Sequence, residues 1–205
     1  MIAIIDYGVG NLFSLCSSLE RIGAKVVVTS DPEVIRKARK LILPGVGAFA
    51  DAAEKLRTSG MGELVKEQAA QGKEIMGICL GMQLLFEKSY EFGEHQGLGL
   101  LRGSVVPMEG KIPPQLKIPH IGWNALHFTG ESKLFRYIKE GDCVYFVHSF
   151  YAENCEDSLV ATAEYGKELT AAVQKGNIMG CQFHPEKSGT VGLNILRAFC
   201  EENTQ

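Results

Sequence analysis

Nowhere in the chain do two cysteines stand as Cys-x-x-Cys. The six (Cys16, Cys79, Cys143, Cys155, Cys181 and Cys200) are scattered, and no cluster of His, Cys and Asp has the spacing of zinc ligands. A structural metal finger is thereby excluded, and no metal is expected. An even number of cysteines could serve disulfides in a secreted protein, but the first residues, Met1-Ile2-Ala3-Ile4-Ile5-Asp6, read at once as a strand and leave no room for a leader peptide. Reduced thiols in the cytoplasm are the expectation. No apolar run approaches membrane-spanning length. Positive charge is also short: 21 Lys and Arg against 24 Asp and Glu leave a net charge of -3, which speaks against a nucleic-acid partner. Internal repeats and low-complexity segments are missing too. So is the third glycine of a dinucleotide loop: Gly8-x-Gly10 follows the first strand, but Phe13 takes the third place and no acidic residue closes the next strand. No cofactor is expected.

What is present is a chain of 205 residues, 45% hydrophobic, enough for one substantial core and one domain over 1–205. The early half alternates. Strands are expected at 2–5, 25–29, 40–43 and leading into 77, and helices at 12–22, 48–56 and 62–71. This implies an α/β fold, an open and mostly parallel sheet with helices on both faces. After residue 86 the pattern changes. Residues 92–103 are glycine-rich and read as loop, the proline-rich 107–119 as an ordered surface connection, and 119–124, around the lone Trp123, as the mouth of a loop. Strands resume over 143–151, 159–164, 169–174 and 178–183, the last two joined by a hairpin turn at Lys175-Gly176-Asn177, so antiparallel strands are added in the C-terminal half. A helix over 191–200 closes the chain.

Three stretches carry chemistry. Gly77-x-Cys79-x-Gly81 joins an apolar run to a helix-like pattern, the layout of a nucleophile elbow. A thiol there meets the unpaired N–H groups of a helix start, which favour thiolate; the alternative is a buried structural cysteine between two ordinary glycines. Pro44-Gly45-Val46-Gly47 directly follows a strand, so its N–H groups can form an oxyanion hole, or the stretch is a plain strand-to-helix turn. His184 and Glu186 stand two apart at a strand end and can leave from one face, where a carboxylate fixes the imidazole tautomer. All three stretches fall at the carboxyl ends of strands, the rim where ligands bind in open α/β sheets. His95 and His127 read as surface residues. His148 is either a hydrogen-bonded structural histidine or a site residue.

On these residues the chain resembles the class I (triad) glutamine amidotransferases over nearly its whole length. Four stretches narrow the resemblance to the glutaminase subunits of imidazole glycerol phosphate synthases: Asp6-Tyr7-Gly8-Val9-Gly10-Asn11-Leu12, Leu43-Pro44-Gly45-Val46-Gly47, Pro119-His120-Ile121-Gly122-Trp123-Asn124 and Gln182-Phe183-His184-Pro185-Glu186-Lys187-Ser188. Val9 and Ile121 stand where methionine is frequent in that family. Phe150 stands where tyrosine is, which removes a hydroxyl from a substrate contact. The resemblance implies that Cys79 attacks glutamine, that His184 shuttles the proton and that Glu186 orients it. It implies an oxyanion held by the backbone of Leu80 and of the Gly45, Val46 and Gly47 turn. Gln83 and the main chain of His148, Ser149 and Phe150 would hold the substrate. Asn11, Trp123 and Lys187 would face a partner, a cyclase of (β/α)8 barrel form that receives ammonia internally in a heterodimer. Two alternatives stay open: the glutaminase of another synthase, such as that of pyridoxal phosphate, and a cysteine-elbow stress protein or peptidase of related fold.

Overall fold

The computed structural model describes residues 1–201. The first half builds β1 (Ile2–Ile5), α1 (Leu12–Arg21), β2 (Val26–Thr29), α2 (Pro32–Lys37), β3 (Lys40–Leu43), α3 (Phe49–Thr58), α4 (Met61–Ala70), β4 (Glu74–Ile78) and α5 (Leu80–Leu84). The second half adds β5 (Phe86–Ser89), β6 (His95–Gln96), β7 (Leu101–Pro107), β8 (His120–Ala125), β9 (His127–Phe128), β10 (Cys143–His148), β11 (Phe150–Glu153), β12 (Leu159–Glu164), β13 (Glu168–Lys175), β14 (Ile178–Cys181) and α6 (Gly189–Cys200).

The central sheet runs β2-β1-β3-β4-β14-β13-β12-β9, parallel from β2 to β14 and antiparallel beyond. Its strands are short apolar runs because both faces are covered. In β1, Ala3 and Ile5 join the core beneath α2 to α5, while Ile2 and Ile4 join the core beneath α1 and α6, as the two-residue period of a strand requires. The helices start where the sequence offers caps. Asn11 accepts from Ser14 N (3.4 Å) at α1, and Asp31 accepts from Glu33 N (2.8 Å) ahead of Pro32 at α2. The expected mostly parallel sheet, helices on both faces and antiparallel C-terminal additions are all present. Among the described residues no helix is long and apolar enough to cross a membrane.

Three expectations need correction. Residues 92–103 are not simply loop: they contain β6 and the start of β7, which join a second sheet in the order β11-β7-β5-β6. Residues 119–124 are not a loop mouth either, because β8 pairs with β10 in a two-stranded antiparallel ribbon, His120 opposite His148 and Trp123 opposite Tyr145. Alternation is the physical reason. His120 turns inward while Ile121 and Trp123 face outward and are exposed, and Pro119 and Gly122 hide this period in the sequence. The stretch 143–151 is not one strand: it divides at Ser149 into β10 and β11, which join different sheets.

Candidate active site

Strand pairing aligns the ends of three strands. Leu43 of β3 lies opposite Gly77 of β4, and Ile78 lies opposite Cys181 of β14. The chain then turns so sharply at Cys79 that this non-glycine residue takes φ 54° and ψ -113°, a sparsely populated conformation that persists only where its surroundings impose it. The flanking glycines show how they do so. A Cβ on Gly77 would stand 2.6 Å from the Gly81 carbonyl oxygen, and one on Gly81 would stand 1.9 Å from the Leu43 carbonyl oxygen. The start of α5 is thus pressed against the end of β3, with the Cys79 thiol at its N-cap.

His184 does not leave from a strand. β14 ends at Cys181, and Pro185–Lys187 form a single 3-10 turn. That turn, not strand alternation, brings Glu186 Oε1 to 2.8 Å from His184 Nδ1. Both side chains are buried, and Glu186 Oε2 has no hydrogen-bond partner among the described residues. Ser188, which the sequence reading passed over, fastens the turn: its hydroxyl donates to the His184 carbonyl (2.6 Å) and accepts from Tyr145 N (3.0 Å).

A cavity of about 440 Å³ opens above the thiol. It brings together Val46, Gly47, Cys79, Leu80, Gln83, His148, Ser149, Phe150, His184 and Lys187. Gly45 stands behind it, packed where a Cβ would meet Gly81 N at 2.8 Å. Asn11 and Trp123 lie outside the cavity; Asn11 caps α1, and Trp123 is exposed with its ring edge-on to Tyr145 at 6.0 Å. Two contributors had no local signal in the sequence. The Glu91 carboxylate lines the cavity and accepts from Phe49 N (2.9 Å), and the Tyr7 hydroxyl donates to the Pro44 carbonyl (2.7 Å), bracing the turn before Gly45.

Hydrogen bonds connect this cavity to the ribbon. The Phe150 carbonyl accepts from His148 Nδ1 (2.8 Å) and from Gln83 Nε2 (3.1 Å). Gln83 Nε2 also donates to Gln182 Oε1 (3.0 Å), so both its amide hydrogens are engaged and only Oε1 remains for a substrate. On the other side His148 Nε2 lies 3.1 Å from His120 Nδ1, and His120 Nε2 lies 2.7 Å from Asn124 Oδ1. His148 is therefore a structural histidine that also lines the cavity.

Residues 3–203 match the family Glutamine amidotransferase class-I. The chain belongs to this family. Relatives extend the match: the imidazole glycerol phosphate synthase subunit HisH of Lactococcus lactis subsp. lactis is 51% identical over 202 residues, spanning 98% of each chain. The subunit of that name from Sulfurimonas denitrificans is 53% identical, over 97% of each. A solved glutamine amidotransferase has the same fold, with a TM-score of 0.75 at 19% identity over 97% of each chain.

In this amidotransferase the two buried histidines of the cavity differ sharply in charge. Burial drives His148 down to about 3, the Phe150 carbonyl opposing only weakly, so its ring is neutral with Nδ1 protonated. Burial pushes His184 down as well, but the Cys79 sulfur and then the Glu186 carboxylate outweigh it and raise the imidazole to about 9. The His184 ring is accordingly an imidazolium at neutral pH. Glu91 is raised by burial against the pull of Phe49 N–H. A thiol, an imidazolium and a helix start with unpaired N–H groups thus share one cavity, with the Glu186 carboxylate bonded to the ring, a set suited to acyl transfer through a thioester.

Proposed function

We propose that this amidotransferase is the glutaminase subunit of an imidazole glycerol phosphate synthase, with Cys79, His184 and Glu186 as its triad. The observation that carries the reading is the strained Cys79 elbow facing a His184 that Glu186 holds at 2.8 Å. Cys79 Sγ attacks the carboxamide carbon of glutamine. Its negative charge passes to the carbonyl oxygen, which Leu80 N–H and an N–H of the Gly45–Val46–Gly47 turn receive. The C–N bond breaks as His184 gives its proton to the leaving nitrogen, releasing ammonia and a glutamyl thioester. Water, deprotonated by His184, then cleaves the thioester to glutamate, and the proton returns to the Cys79–His184 pair. Glu91 and Gln83 Oε1 offer negative and acceptor groups for the substrate ammonium.

The ammonia passes to a cyclase of (β/α)8 barrel form in the cytoplasm. Lys187 at the cavity mouth, exposed Val46, Ile121 and Trp123, and Asn11 at the start of α1 supply the docking face. Hydrolysis with no acceptor would waste glutamine, so the turn is the gate. Gly47 sits at φ 92° with nothing within 4 Å of its Cβ position, leaving the Val46 peptide room to rotate. With nucleotide-loaded cognate cyclase, glutamine hydrolysis should rise mainly in kcat from a weak basal rate. An isolated chain at full activity, indifferent to cyclase and nucleotide, would refute the gate and the pairing with that cyclase.

The charge state of His184 gives a second expectation. Its imidazolium is the acid that releases ammonia, and it is lost as pH rises through about 9. Activity of the complex should therefore fall above about that pH. Glu186→Gln removes one of the groups that raise His184, so the alkaline limb should move to lower pH and kcat should drop. A limb that stays in place would take Glu186 out of the triad.

A further inference from the structure

Gln182 is fully buried just past the end of β14, two residues before His184, and its side-chain nitrogen lies 3.8 Å from Cys79 Sγ. Which end of an amide faces a neighbour is normally open to doubt, because oxygen and nitrogen have the same shape. Here the neighbours decide it. The Phe150 carbonyl can only accept, so the end of Gln83 that lies 3.1 Å away must be its NH2 group. That same nitrogen is 3.0 Å from the next amide, which must then present its oxygen, Gln182 Oε1. The NH2 of Gln182 is left facing the sulfur. Reversing Gln182 would require reversing Gln83, and that would set two carbonyl oxygens against each other at the Phe150 end. The ribbon keeps the Phe150 carbonyl in place through His148 Nδ1, whose own far nitrogen is held by His120. Two carbonyls end this chain, those of Phe150 and Glu164, and two neutral rings are one proton short of filling every link. Asn124, which is half-buried and can turn its amide, passes the shortfall to its exposed contact with the Glu164 carbonyl.

We propose that Gln182 is a further catalytic residue, an amide N–H donor to the Cys79 sulfur whose orientation is dictated through Gln83 by the Phe150 carbonyl. The proposal rests on the reading of Cys79 as nucleophile. An N–H aimed at the sulfur stabilises thiolate over thiol. The titratable groups around that sulfur are His184 with Glu186 behind it, Cys181 on the adjacent strand, and His148, Glu91 and Lys187 across the cavity. Of these only His148 is likewise fixed in polarity by a carbonyl, and its protonated Nδ1 faces Phe150 rather than the sulfur.

The test is the rate of Cys79 alkylation by iodoacetamide, read peptide by peptide over about pH 5 to 10, in the complex with the cognate cyclase. Gln182→Leu removes the donor and should raise the apparent midpoint of the Cys79–His184 pair by about one pH unit. A more basic thiolate is also more nucleophilic, recovering about half of the logarithmic change. Alkylation should therefore be about threefold slower at pH values well below the midpoint and about threefold faster on the alkaline plateau, so the two profiles cross. Gln182→Glu keeps the oxygen for Gln83 but turns an acceptor to the sulfur, and should shift the midpoint further. General damage to the site would lower both ends of the profile and overturn the proposal, as would an unshifted midpoint. In the unmutated chain the Gln182 side-chain 15N–1H resonances should move with the same midpoint as alkylation, a measurement independent of any variant's folding; resonances indifferent to that titration would also overturn it. Glutamine hydrolysis that survives Cys79→Ala would instead refute the nucleophile reading, whatever Gln182 does.

Discussion

Cys79→Ala should abolish glutamine hydrolysis while leaving the fold and the partner complex intact. Removing a covalent nucleophile costs on the order of 10⁵- to 10⁶-fold in kcat, far beyond what losing a positioning group costs. The fold should tolerate the change because alanine, like cysteine, carries a Cβ, so the strained φ of 54° is no worse occupied than before. What is lost is the sulfur and its contact with the Gln182 amide. The cyclase in the variant complex should still turn over when ammonium salt is supplied at alkaline pH, where free ammonia is available. Glutamate release measured beside ammonia-dependent turnover separates the two activities. Hydrolysis surviving in the variant would remove Cys79 from the chemistry.

Gly81→Ala should be, with Gly192→Ala, among the most damaging single methyl groups in the described residues. Its Cβ would lie 1.9 Å from the Leu43 carbonyl oxygen and 2.8 Å from the carbon behind it. Both are backbone atoms of a central strand, so no side chain can swing aside. The helix start and the end of β3 must part, at about 3 kcal/mol or more, which for a chain of this size lowers the melting temperature by roughly 10 °C. Gly47→Ala is the internal comparison. Nothing stands within 4 Å of its Cβ position, and only the positive φ of 92° opposes it, at about 1–2 kcal/mol. Thermal melts of the two variants should differ clearly. Equal melts would mean that the contact between β3 and the elbow carries no special stability.

The elbow, the His184–Glu186 pair and the alternating first half could be read before any coordinates, because each is confined to few residue types at fixed spacing. Gly77 and Gly81 announce a close approach that no other residue allows. The His184–Glu186 pairing was legible, but its geometry was not: a strand face and a 3-10 turn both bring residues two apart together, and Pro185 fits either. Helix α2, 6 residues long, fell below what periodicity can show. The β8 ribbon stayed hidden because a short strand with a proline before it and a glycine inside it looks like loop. The contacts of Glu91 with Phe49, Tyr7 with Pro44, Ser188 with Tyr145 and Gln182 with Cys79 had no local signal, since each joins residues 37 or more positions apart. Such pairings are made by topology and leave no mark in local sequence.

The place of β14 in the central sheet also sets a timetable for synthesis. It lies between β4, which carries the elbow, and β13, though it is the last strand among the described residues. Until the ribosome has released residue 181, the elbow strand has an open side, with its N–H and C=O groups unpaired next to apolar side chains. A nascent or prematurely terminated chain therefore presents a sticky edge. It also lacks His184, so on the mechanism proposed above it has no proton carrier beside its thiol and should not hydrolyse glutamine. Closure of the sheet and assembly of the site are one late event, and a cell that makes this protein gains no activity from a chain it has not finished.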